Sequence, residues 1–277
     1  MAHPSIAITL ATGHKILFVS YYAAIAPEKI DVAFLSLELI STPPKGVDIW
    51  LLDLSKINAE DSAIFSSVIS EHERERAQQF KKNQHHFLAT RALQRQALSH
   101  YTGISPEQLL IARTDSGKPF LTNSSFALHF NLSHSGNFAA LAVSAQGEIG
   151  VDIETARKRS YLQIVERFFH VDEIKQLQGC NKENEEQLFY RLWTLKEAFF
   201  KAIGTGISTG LDKAYFHLQD NQIDAHFADA LNVKKSEWQF HQEFIAPTTI
   251  VATALQSIEP ISIQWIDGNS LLATTFT

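Results

Sequence analysis

Residues Leu128 to Glu154 read LHFNLSHSGNFAALAVSAQGEIGVDIE. Three short apolar runs stand in this stretch, Leu128 to Leu132, Phe138 to Ser144 and Ile149 to Ile153, and the Gln146-Gly147 turn separates the last two. That spacing predicts a meander of short strands. Downstream, Ser160 to Leu177 and Glu185 to Ile203 follow helical spacing, the second closing at Gly204, where a glycine can take the left-handed cap conformation. Upstream, Val47 to Leu54 reads as a strand, and Ser62 to His100, free of Pro and Gly, as two helices. Gly103 to Glu107 is a turn opening a short helix, Leu109 to Ala112 has strand character, and Asp115 to Pro119 is a tight turn. From Ala214 onward the pattern alternates like sheet. Helices and strands occur in both halves without βαβ regularity, so the fold class is α+β.

The composition fits a soluble globular protein, with 277 residues, 45% of them hydrophobic and 19% charged. A formal net charge of -6 argues against a general nucleic-acid binder, which needs clustered Lys and Arg to neutralise phosphates. Any polyanion must meet a local basic pocket. A single cysteine, Cys180, excludes an intramolecular disulfide and a Cys-based zinc cluster and suits a reducing compartment. The opening MAHPSIAITLATGHKILF lacks the basic start and cleavage site of a secretory signal. The apolar run Ile16 to Ala26 is too short to span a bilayer, so a cytoplasmic protein without a membrane partner is expected. Residues 1–46 form an N-terminal extension ending in the Ser41-Thr42-Pro43-Pro44-Lys45-Gly46 linker, and they carry no interpretable motif.

Within Gly150-Val151-Asp152-Ile153-Glu154, strand alternation turns Val151 and Ile153 one way and Asp152 and Glu154 the other. Two hard oxygen donors one pleat apart suit Mg²⁺, and the same pair is equally a solvated strand face. In the helix Glu185 to Ile203, Trp193, Glu197 and Lys201 recur every four residues and share one face, with Lys196 beside Glu197. A third acid among ammonium groups could hold a metal and the phosphates it bridges. It is also the pattern of a surface ion pair. Phe130 to Gly136 (FNLSHSG) ends in a polar turn where hydroxyls and the His134 imidazole can face an anion or merely cap the turn. Arg113 to Pro119 (RTDSGKP) sets two cations on a stiff turn, as a surface loop or a phosphate grip.

Taken in order, RTDSGKPFL, FNLSHSG, IGVDIE and LWTLKEAFFKAIGTGI resemble the Sfp-type 4′-phosphopantetheinyl transferase superfamily, over about residues 47 to 216. The resemblance implies two similar α+β halves related by a pseudo-twofold. Residues 47–148 would bind coenzyme A, residues 149–277 would supply the metal site and carrier docking, and the active site would lie in the cleft between them. It implies Mg²⁺ held by Asp152, Glu154 and Glu197. Lys196 and Lys201 would contact the coenzyme phosphates and act in catalysis beside Glu197. Ser133 and His134 would bind the adenosine 3′-phosphate region, and Arg113 and Lys118 would grip the nucleotide phosphates. Lys81, Lys82 and Arg91 lie on the helix expected to add another cation, of which Lys82 and Arg91 are taken as coenzyme-binding.

The implied reaction moves the phosphopantetheine arm of coenzyme A onto a serine of an apo acyl or peptidyl carrier protein and releases adenosine 3′,5′-bisphosphate. Glu197 or a water takes the serine proton. The acceptor can belong to fatty acid, polyketide, nonribosomal peptide or siderophore synthesis. Because carriers are acidic, Arg157 to Phe169, opening with Arg157, Lys158 and Arg159, is the expected docking segment. Two rivals use the same residues: a Mg²⁺-dependent nucleotide pyrophosphatase and a non-catalytic coenzyme A- or carrier-binding protein. Loss of an acidic ligand would mark the second, and none is lost.

Overall fold

A computed structural model describes residues 43–157, 161–206, 210–220 and 222–274. In chain order, β1 (Val47–Asp53) leads to three helices, α1 (Ser62–Ser67), α2 (Glu71–Ala77) and α3 (Gln84–Thr102). The strands β2 (Ile111–Arg113), β3 (Pro119–Leu121), β4 (His129–Ser135), β5 (Phe138–Ser144) and β6 (Ile149–Thr155) follow. Then come α4 (Leu162–Phe168), α5 (Val171–Gly179) and α6 (Lys182–Ile203). The chain continues through β7 (Ala214–Gln219), β8 (Gln222–Phe227), β9 (Trp238–Ala246), β10 (Thr249–Gln256), β11 (Ile263–Asp267) and α7 (Gly268–Thr274).

Strand order is β11-β1-β5-β4 in one sheet and β6-β10-β9 in the other, with β2-β3 and β7-β8 as separate hairpins. Each large sheet is backed by one long helix. Alternation in β1 sends Trp50 and Leu52 toward α3, into a core with Leu93, Phe130 and Leu141. Val47, Ile49 and Leu51 go the other way, to meet Val151, Ile153 and Val251 between the two sheets. On the far face of the second sheet, Ile250 and Ala252 pack against Leu192, Leu195 and Phe199 of α6. The α+β class is thus observed. Fully burying each such aliphatic or aromatic side chain contributes about 1.5–3 kcal/mol, which is what holds the sheets face to face.

Four expectations need correction. Ser62 to His100 holds three helices rather than two, because Asn83 takes a left-handed conformation before α3 and Ser70 opens α2 with a capping box to Glu73. Ser160 to Leu177 is broken at His170, which caps α5 and pairs with Glu173 in a second box. The meander stops at β5: β6 pairs antiparallel with β10 instead, Asp152 opposite Ala252 and Glu154 opposite Ile250. Lastly, residues 263–274 do not stay with the C-terminal half. β11 pairs parallel to β1, with Trp265 opposite Ile49, and Asn269 of α7 accepts from the Asp53 amide and donates to its carbonyl.

Candidate active site

The acidic residues are placed by two neighbours. On one side stands β4, whose alternate residues Asn131, Ser133 and Ser135 reach the facing edge of β6. Asn131 Oδ1 accepts from the Val151 amide at 3.0 Å, Ser133 Oγ donates to Asp152 Oδ1 at 2.9 Å, and Ser135 Oγ donates to Glu154 Oε2 at 2.8 Å. Side chains thus join two strands that share no backbone ladder. On the other side lies α6. A Cβ built on Gly150 would stand 1.9 Å from the Ala198 carbonyl oxygen and 2.6 Å from the Ala202 amide nitrogen, so only glycine lets the helix settle there. Ala198 and Ala202 sit one residue beyond Glu197 and Lys201, which brings both of the latter to the face of β6 that carries Asp152.

Lys201 Nζ lies 2.5 Å from Asp152 Oδ1, 3.0 Å from Ser133 Oγ and 3.4 Å from the Val151 carbonyl. Asp152 is only 4% exposed. Its Oδ2 and Glu197 Oε1 are buried oxygens with no hydrogen-bond partner among the described residues. Burial, then the charges of Asp152 and Glu154, push the Glu197 carboxyl up from 4.5 to about 7, against the pull of Lys201. Buried carboxylate oxygens in want of a partner are hard donors, the chemistry a Mg²⁺ ion selects. Among the described residues, however, no three His, Cys, Asp or Glu side chains already close on a point as a metal cage.

Beside the acids opens a cavity of about 510 Å³, lined by Lys82, Arg91, His134, Glu154 and Arg157, with Phe80 and Phe87 on its wall. Arg91 also lines a second cavity of about 350 Å³ that holds Arg95 and Arg113. The Arg91 guanidinium sits 5.3 Å over the Phe87 ring and donates to Gln94 Oε1 at 2.8 Å. Partial burial, then Arg91 and Lys201, lower the His134 pKa, against the pull of Asp152. Lys82, Arg91 and His134 thus line the first of these cavities, and Arg91 and Arg113 the second.

Three other expected contacts are committed elsewhere. Lys196 is fully buried, its Nζ 2.6 Å from Glu173 Oε2 and 2.5 Å from the Ala214 carbonyl. The helix explains this: successive residues point about 100° apart, so Lys196 cannot share the face of Glu197. Lys118 pairs with Glu148 and donates to the Ala202 carbonyl, tying the β2-β3 turn to the end of α6 instead of facing a cavity. Ser133, expected near an adenosine phosphate, is buried with its hydroxyl on Asp152 and Lys201. Trp193 stacks on Phe169 and Phe189 at 6.3 and 6.2 Å and anchors the region of α4 to α6. Asn131, Ser135 and Gly150 carry no motif that marks them in the sequence; the period-two spacing of Asn131, Ser133 and Ser135 is the signal that points to the first two. Lys158 and Arg159 lie outside the described residues, as do residues 1–42.

A family model described as the 4′-phosphopantetheinyl transferase superfamily matches residues 148–254, and one for the N-terminal region of 4′-phosphopantetheinyl transferases matches residues 58–146. The 4′-phosphopantetheinyl transferase Sfp of Bacillus subtilis is 33% identical over 177 residues, covering 63% of this chain and 78% of Sfp. HetI, a 4′-phosphopantetheinyl transferase of Nostoc, is 35% identical over 167 residues, covering 58% of this chain and 70% of HetI. A putative 4′-phosphopantetheinyl transferase of Synechocystis, slr0495, is 37% identical over 153 residues, 54% of this chain and 62% of that protein. The chain belongs to the 4′-phosphopantetheinyl transferase superfamily.

Proposed function

We propose that this protein transfers the phosphopantetheine arm of coenzyme A to a serine hydroxyl of an apo acyl or peptidyl carrier protein. The observation that carries the reading is the meeting of Asp152 and Glu197, each with an unpartnered buried oxygen, beside Glu154, Lys201 and a cation-lined cavity. The relatives named as phosphopantetheinyl transferases support it. Asp152, Glu154 and Glu197 are the residues that would hold Mg²⁺, which would supply charge neutralisation and Lewis acidity at a diphosphate.

The side chains themselves account for most of the rest. Lys82, Arg91 and Arg113 neutralise and orient the phosphates of coenzyme A across the two cavities. The serine oxygen bonds to the β-phosphorus, the bond from that phosphorus to the bridging oxygen breaks, and the electron pair leaves on the α-phosphate of adenosine 3′,5′-bisphosphate. Glu197 Oε1, with a proton affinity lifted toward neutrality, accepts the serine proton. Ligation to a cation would lower that affinity, so the two duties of Glu197 oppose each other.

The carrier docks on Arg157 to Phe169. Arg157 is exposed at the cavity, and Leu162 (60% exposed) and Val171 (55%) offer apolar contacts nearby. The lone cysteine suits a reducing, cytoplasmic setting, and among the described residues no helix is long and apolar enough to cross a membrane. Incubating a panel of apo-carriers with coenzyme A and Mg²⁺ and reading intact mass tests the proposal. One added phosphopantetheine per carrier is expected. Release of adenosine 3′,5′-bisphosphate at the same rate without carrier would instead make the protein a pyrophosphatase.

A further inference from the structure

An ammonium group has three N–H donors and no acceptor, and those of Lys201 are all used within the acidic cluster. Asp152 Oδ1, Ser133 Oγ and the Val151 carbonyl take them at 2.5, 3.0 and 3.4 Å. While they do, Lys201 has no donor left for a phosphate, and Asp152 has only Oδ2 left for any other cation. The two other lysines of this region stand apart from the acids, Lys118 on Glu148 and Lys196 on Glu173. Among the described lysines, Lys201 alone is paired with one of the acids expected to bind metal, Asp152. Its side chain, 29% exposed, sits on a flexible four-carbon stem in the last turn of α6, so it can swing out without moving the helix.

We infer that Lys201 is a resident counter-ion of the acidic cluster, which a divalent cation must displace and which a bound diphosphate draws out. This rests on the metal reading given above and goes beyond it, since it fixes how the two ligands are coupled. A cation entering alone meets a like charge 2.5 Å from Asp152 Oδ1 and binds weakly. A diphosphate offers Lys201 a new partner and bares both Asp152 oxygens, so each ligand raises the affinity for the other, reciprocally.

The test is a titration of the free protein with Mn²⁺, with no nucleotide present, followed by the electron paramagnetic resonance signal of the unbound ion. Lys201→Met is expected to bind Mn²⁺ about ten-fold more tightly than the wild type, the change for removing one partly screened charge contact. Lys201→Arg, which keeps the charge, should stay as weak as the wild type. If Lys201→Met does not fold, Lys201→Gln leaves a neutral donor at the same place and carries the same expectation. Equal or weaker binding by the neutral variant overturns the inference while leaving the metal reading standing, provided that Asp152→Asn abolishes binding. Absence of Mn²⁺ binding by every protein, Lys201→Met included, overturns both.

Discussion

Gly150 of β6 touches the backbone of Ala198 in α6, and a methyl group at Gly150 would come within 1.9 Å of the Ala198 carbonyl oxygen. Backbone, not a yielding side chain, is what such a methyl would strike. Gly150→Ala should therefore lift α6 from the sheet, costing about 1–3 kcal/mol in stability. A shift of about 1 Å at Glu197 and Lys201 lowers turnover about 100-fold. Thermal denaturation and transfer rate, measured on the same preparation, check this; a fully active Gly150→Ala enzyme would show that the close packing is not what positions the site.

The buried pair of Glu173 and Lys196 gives a second expectation. Burial drives the Glu173 carboxyl up and the Lys196 ammonium down, each toward its neutral form, while their mutual attraction works against this. Removing only the lysine strands a buried carboxylate, so Lys196→Met should cost about 3–5 kcal/mol. The double change Glu173→Leu with Lys196→Met removes the stranded charge and should recover part of that loss, the remainder being the His170 and Phe216 amides that Glu173 no longer accepts from. If Lys196 touched coenzyme A, the double variant would fold and yet show a raised KM for it; the structure leads us to expect a KM close to that of the wild type.

Glu197 sets a pH dependence. Its carboxyl moves from 4.5 to about 7 on folding, so between these values the folded protein holds a proton that the unfolded chain has released. Stability tied to this group is complete below about pH 4.5 and is lost as pH rises to about 7. Glu197→Gln removes the penalty and should be more stable than the wild type by about 1–3 kcal/mol at pH 8, with transfer abolished. Denaturant unfolding at pH 5 and pH 8 reads the difference, which should be larger at pH 8. A variant stabilised equally at both would contradict the assignment.

Arg157 lies at the mouth of the cavity that adjoins Glu154. Reversing its charge together with Lys158 and Arg159 should raise the carrier KM about ten-fold or more, with a smaller effect in high salt. The KM for coenzyme A serves as control. An unchanged carrier KM would place docking on another surface.

Much of the site could be read from residue spacing. Alternation alone put Asp152 and Glu154 on one face of a strand, and the i, i+4 spacing put Glu197 and Lys201 on one face of a helix. What spacing does not carry is the identity of partners distant in sequence. Lys196 is taken by Glu173 and Lys118 by Glu148, so two lysines expected at the phosphates serve as staples. The same limit applies to β6, which reads as a third meander strand and pairs with β10, and to β11, which reads as part of the C-terminal sheet and lies parallel to β1. Strand partners are chosen by tertiary packing of two sheets, and no local pattern encodes that choice.

The most direct test is a crystal of the protein grown with coenzyme A and Mn²⁺ and examined by anomalous diffraction. We expect one strong anomalous peak within ligating distance of Asp152, Glu197 and a diphosphate oxygen, with Glu154 completing the acidic set and Lys201 turned from Asp152 toward phosphate. A peak elsewhere, or a Glu197 side chain directed away from Asp152, would contradict the account.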